Sequence, residues 1–181
     1  MPPSSSSSSA AQPVLTTYTS EGGTEPSLDI LPVLTEESYL AANPHARPAR
    51  ALHIMATEGD VYGAVELLHA AEEEDPDSLP SLVLYRDPLA GSRSALHLAV
   101  EASQEGFVWL LLWIASMIPE EAFPDELRAM AEAVGLERIQ VEGTEDVRGL
   151  RDDNGNTAET LAQKMGVFAH LREAGVLTPP S

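Results

Sequence analysis

The sequence predicts an all-α fold built from helix–turn–helix units, and three observations point to it. Val61, Ala64, Val65 and Leu68 fall at i, i+3, i+4 and i+7, which places four apolar side chains on one face of a helix. No segment alternates apolar and polar residues over the length of a strand. The chain also repeats itself: Ala51-Leu52-His53-Ile54-Met55-Ala56 returns as Ala95-Leu96-His97-Leu98-Ala99-Val100. Self-similarity at a spacing of tens of residues is the signature of stacked repeats, each too small to bury its own apolar face.

The 181 residues suffice for one domain with one contiguous core. Residues 1–42 are expected to form an unfolded, Ser/Pro-rich head, because the run Ser4 to Ser9 and its flanking prolines cannot bury enough apolar surface to offset the entropy of ordering them. Within that head, Leu28 to Leu34 is more apolar and is a candidate to pack on the body or on a partner. Thr35 to Leu40 reads as a short helix with Thr35 as N-cap and acidic residues in its first turn, broken by Asn43-Pro44. The compact body is expected over residues 43–178. Phe107 to Ile118 is apolar nearly all round, as befits a helix sandwiched between neighbours.

The two Leu-His units continue without gaps. After the second comes Phe107-Val108-Trp109-Leu110-Leu111-Leu112; after the first come Glu58-Gly59-Asp60 and, later, Leu67-Leu68. A third unit begins at Asp152-Asp153-Asn154-Gly155-Asn156-Thr157-Ala158 and runs through Leu161-Ala162 to Gly166, closing at Ala174-Gly175. Together these resemble the ankyrin-repeat family: a Thr-Pro-Leu-His-x-Ala first helix with Ala in the Pro slot, an Asp-x-x-Gly-x-Thr turn, and a second helix carrying a Leu-Leu pair. The resemblance covers about Arg47 to Leu177 and implies a short solenoid of about three repeats, near 47–74, 87–118 and 150–177. It also implies that the histidine ties adjacent turns together. Gly59 and Gly166 fill the family's glycine slot between the two helices, Ser103 replaces it in the second copy, and Glu159 and Thr160 replace Leu-His in the third.

The spacing departs from the family period of about 33 residues. His53 and His97 lie 44 positions apart, and Ala95 and Ala158 lie 63 apart. The first excess is assigned to the stretch Glu72 to Arg86. The second is assigned to residues 119–149, where Asp125 to Val134 reads as an added helix ended by Gly135. A degenerate fourth repeat would fill the same gap, but no turn or Leu-His signature supports one. The first copy's turn is replaced by Pro44-His45-Ala46-Arg47-Pro48.

Charge narrows the class of partner. The chain carries 29 acidic and 10 basic residues, a formal net charge of −19, and Lys164 is its single lysine. Such a surface repels nucleic-acid phosphates and anionic lipid, and attracts basic proteins. The same acidity also serves solubility alone. The absence of cysteine excludes disulfides and thiolate metal sites. The polar start does not read as a secretory signal, and the apolar stretch at Phe107 falls short of the ~20 residues of a membrane span. A soluble monomer of the cytoplasm or nucleus is expected.

Chemistry is not apparent. His53 and His97 occupy equivalent repeat positions and read as structural; His45, His69 and His170 lack a partner at ligand spacing, so no metal or cofactor is expected. No nucleophile elbow and no phosphate loop occurs, and Gly22-Gly23 reads as plain flexibility. Trp109 and Trp113, four apart, read as core of the central repeat.

These readings lead to an expectation of a non-catalytic adaptor or dedicated chaperone for a basic protein. The overall charge resembles that of small ankyrin-repeat chaperones that shield a newly made ribosomal protein. An adaptor in proteasome assembly or transcription regulation is the alternative, and an enzyme with its site in 119–149 is disfavoured. The expected contact residues come from slots that the family leaves variable: Thr57, Glu58 and Asp60 in the first repeat, Asp87, Arg93, Glu101 and Gln104 in the second, and Asp152, Asn154 and Asn156 in the third. The acidic stretch Glu72, Glu73, Glu74, Asp75 and Asp77 is expected to embrace a cationic segment. Each is equally well read as ordinary solvated surface.

Overall fold

The computed structural model describes residues 36–139 and 146–180, together with the backbone of Thr19–Ser20 and Gly23–Thr24. The chain divides into two units, Met1–Tyr39 and Leu40–Ser181. In the first, Thr19–Ser20 pairs antiparallel with Gly23–Thr24. Helix α1, Glu36–Ala42, begins one residue after Thr35, has Glu36 and Glu37 in its first turn and buries none of its residues. The rest of the segment expected to be unfolded, including Leu28 to Leu34, lies outside the described residues.

The second unit is all-α among the described residues. Its helices are α2 (Ala46–Glu58), α3 (Val61–Glu74), α4 (Leu79–Val83), α5 (Ala95–Glu101), α6 (Glu105–Ala115), α7 (Asp125–Val134), α8 (Ala158–Met165) and α9 (Ala169–Glu173). Three tight pairs recur, α2 with α3, α5 with α6, and α8 with α9, and α5 lies between α2 and α8. The seam is apolar: Leu52, Ala56, Leu96, Ala99, Val100 and Ala162 are buried, and Leu161 is 9% exposed. Complete burial of each such leucine favours folding by about 1.5–3 kcal/mol.

Each pair reverses through a left-handed residue. Gly59 (φ 77°), Ser103 (φ 57°) and Gly166 (φ 71°) stand at the three reversals. Ser103 therefore adopts the backbone of the glycines it replaces, at a steric cost that glycine does not bear.

Two stretches gain definition beyond their sequence reading. Within Pro44 to Pro48, which replaces the first copy's turn, α2 already starts at Ala46. Pro48 sits in the first helical turn, where a missing N–H leaves no intrahelical bond unmade. In the acidic stretch Glu72 to Asp77, Glu72, Glu73 and Glu74 form the last turn of α3 and stand as a solvated helix end. A 3₁₀ turn at Pro76–Ser78 and α4 then fill the remainder of the excess length before Asp87.

Helix α6 is buried along nearly its whole length, from Phe107 to Ala115, with α3, α4, α5 and the turn Val147–Gly149 packed around it. Its C-terminal end is closed by the segment that follows α7. The Arg138 guanidinium donates to the carbonyls of Trp113 (3.0 Å), Ser116 (2.7 Å) and Ile118 (2.6 Å) and lies over the Trp113 and Phe123 rings. Trp113 Nε1 in turn donates to the Leu136 carbonyl at 3.2 Å. Trp109 and Trp113 both meet Phe123 edge to face; Trp113 belongs to the core, and Trp109, partly buried, packs against it. Behind them Asp146 and Arg148 form a buried ion pair at 2.7 Å; Asp146 also accepts the Met117 amide, and Arg148 reaches the Thr178 carbonyl. Among the described residues of 119–149, Leu136, Arg138 and Asp146 thus fasten the segment to the end of α6 by polar contacts.

Candidate partner-binding surface

The turns before α5 and α8 are built alike. Asp87 and Asp152 open them, and each carboxylate accepts the amide two residues on, that of Leu89 (2.9 Å) and that of Asn154 (2.9 Å). Gly91 and Gly155 take left-handed conformations within the turns. The Asp153 amide donates to the Gly91 carbonyl at 3.0 Å, and Arg86 Nη1 donates to the Arg151 carbonyl at 3.2 Å, joining the two tips.

His97 adds a third link. Its Nδ1 accepts the Ser94 amide at 3.3 Å and lies 2.8 Å from Ser94 Oγ, while its Nε2 lies 2.9 Å from the Asn156 carbonyl. A carbonyl can only accept, so the proton sits on Nε2 and the ring is neutral. Burial, the largest influence, lowers the His97 pKa below its ordinary 6.5; the Asn156 carbonyl and the carboxylates of Asp152 and Glu101 oppose it only in part. His53, at the equivalent place in α2, is held differently. The Tyr85 ring packs on it at 5.5 Å, and burial, the largest influence, lowers its pKa; the Asp87 carboxylate and a hydrogen bond with the Tyr85 backbone oppose it only in part.

Two of the expected contact residues are not on the surface. Asp87 is 3% exposed, because Arg50 Nε meets its carboxylate at 2.9 Å and the turn folds around it. Asn156 is 8% exposed, held by Asp152 through both its amides (2.8 and 2.9 Å) and by Lys164 Nζ at 2.5 Å. Both residues shape turns. Asp152 is half-buried, and its pKa follows from opposed influences. Desolvation pushes it up, but hydrogen bonds from the Asn156 side chain, the Asn156 amide and the Asn154 amide outweigh that and leave it below the usual value.

The other expected residues reach solvent to some degree. Arg93, two residues before α5, pairs at 2.7 Å with Glu101 at its end, and Asn156 and Lys164 pair in the corresponding positions around α8. Thr57, Glu58 and Asp60 are exposed at the first reversal, where Asp60 caps α3 through the Gly63 amide and Gln104 Nε2 donates to the Thr57 carbonyl at 3.3 Å. Asn154 is exposed at the third turn. Glu73, Glu74, Asp75 and Asp77 are exposed and Glu72 half-exposed, all at one end of α3 and the turn beyond it.

That end also holds a feature absent from the sequence reading. A groove of about 450 Å³ runs between the start of α2, the end of α3 and α4; Pro44, Pro48, Leu67, Ala70, Ala71 and Leu82 supply its apolar walls, and His45, Ser78, Ser81, Glu74 and Asp75 its polar lining. The visible signal was Ala70-Ala71, two small residues next to an acidic run, but only the placement of α4 turns them into one wall of a groove. Ile54 (60% exposed) and Tyr62 (82% exposed) are further apolar side chains in solvent that periodicity alone did not single out.

Among the described residues no three His, Cys, Asp or Glu side chains gather as metal ligands, and no helix is long and apolar enough to cross a membrane. No protein-family model, no curated protein and no solved structure matches the chain.

Proposed function

We propose that this chain is an ankyrin-type stack of three helix pairs that binds a basic protein, as an adaptor or dedicated chaperone, and catalyses nothing. The recurring pairs, the left-handed reversals and the histidine link between turns support the ankyrin-type reading. Because fold does not assign function, the binding role needs its own support, and one observation carries it. Glu72, Glu73 and Glu74 occupy the last turn of α3, which holds no basic residue. The partial negative charge of a helix C-terminus disfavours carboxylates there by about 0.3–1 kcal/mol each. Residues kept at a cost to stability are the kind that function retains, and in a chain of net charge −19 they add to a field that draws in cations.

The test is capture of partners from cell extract on the immobilised full chain, with identification, then rebinding of the purified partner. A basic protein that elutes as salt rises from about 0.05 to 0.5 M is expected, because exposed charge pairs are screened over that range. The variant Glu73→Lys should weaken rebinding several-fold while raising the melting temperature. A partner that is acidic, or held equally well at high salt, would overturn the reading.

A further inference from the structure

We infer that the groove between α2, α3 and α4 receives an amphipathic helix of the basic partner, with Leu- or Met-sized residues inside and lysine or arginine at its edge. The inference rests on the proposed function and names the place and the form of contact. The groove's shape selects a helix. Ala70 and Ala71 leave a shallow wall that another helix can approach closely, while Pro44, Pro48, Leu67 and Leu82 provide apolar faces around it. Its volume, about 450 Å³, suits a few apolar side chains and not a whole domain.

Charge selects among occupants. Among the groove's lining residues the carboxylates of Glu74 and Asp75 stand against His45 as the one potential cation, and Glu72, Glu73 and Asp77 lie beside them. Residues 1–35 of this chain carry Glu21, Glu25 and Asp29 and no lysine or arginine, so their nearest apolar run, Leu28 to Leu34, brings like charge to the groove. A second copy of a chain with net charge −19 does the same. A cationic segment gains from the same carboxylates that repel the other two. The exposed acidic end of α3 and the apolar groove are adjacent, so one helix about four turns long spans both.

The experiment uses the ¹⁵N-labelled full chain and three synthetic helical peptides of about fifteen residues with one leucine stripe. Their polar faces are lysine, glutamine or glutamate. The lysine peptide should shift the amide signals of Leu67, Ala70, Ala71 and Leu82, bind at least tenfold more tightly than the glutamine peptide, and lose to the glutamate peptide nowhere. Ala70→Trp, which fills the groove from an exposed position, should weaken it tenfold or more, and Glu74→Lys several-fold; circular dichroism checks that both variants fold. Three results would overturn the inference: shifts centred elsewhere on the acidic surface, unchanged affinity in Ala70→Trp, or no binding of the lysine peptide. Movement of the groove signals on deletion of residues 1–34 would also overturn it, by assigning the groove to the chain's own head. If the groove fails while extract capture still yields a salt-released basic protein, the proposed function stands. If capture fails too, both fall.

Discussion

His97 illustrates how one side chain can serve as a structural pin only while uncharged. Its Nδ1 accepts from Ser94 and its Nε2 donates to the Asn156 carbonyl, and a second ring proton would abolish the first contact. His53 is buried in the equivalent place, and burial lowers the pKa of both below 6.5. A native pKa below the unfolded value means that the unfolded chain takes up protons first. The stability is therefore full above about pH 6.5 and is lost as the pH falls toward the lowered native values. Denaturant midpoints measured from pH 8 to pH 5.5 should decline, and His97→Gln should show a shallower decline from a lower starting stability. A flat profile in the unaltered chain would show that neither ring is held neutral. Asp87 makes a separate point at this scale. Its type and position suggested a contact residue, but Arg50, 37 positions earlier in the chain, withdraws it from solvent.

Among the elements, the reversals between paired helices are the most legible from sequence and the most testable. Gly59, Ser103 and Gly166 were placed in one slot by alignment of the Leu-His units, and all three adopt positive φ. Ser103→Gly should stabilise the protein by about 1 kcal/mol, since only the serine bears the left-handed cost. Gly59→Ala should destabilise it by more than that, because a Cβ there also collides with the Gln104 carboxamide that donates to Thr57. Thermal melts of the two variants give the comparison, and equal shifts would sink it. The helices themselves were readable wherever apolar residues kept a helical period, including α7, whose limits match Asp125 to Val134 and Gly135. What the sequence hid was tertiary. The start of α2 at Ala46 depends on tolerance of Pro48 in a first turn. The capture of α6 by Arg138 depends on a contact spanning more than twenty residues, which no local pattern announces. The groove required the position of α4, a five-residue helix too short to carry a periodic signal.

For the whole molecule, like charge is the dominant long-range term. With 29 acidic residues against 10 basic, the folded state concentrates repulsion that salt relieves. The melting temperature should therefore rise by several degrees as sodium chloride goes from about 0.02 to 0.5 M, and a fall would mean that its few ion pairs outweigh the repulsion. The stack is also unevenly stitched. The second and third helix pairs share the His97–Asn156 and Asp153–Gly91 bonds, both to backbone carbonyls, whereas the Arg50–Asp87 ion pair and the exposed Gln104–Thr57 bond join the first pair to the second. Exposed side-chain links open to water more readily than buried ones, so at this joint deuterium should enter the amides of α2 and α3 before those of α5 and α8. A guest lodged between α2, α3 and α4 would act as a latch on this joint, so its arrival would be read as slowed exchange on the very pair that opens first.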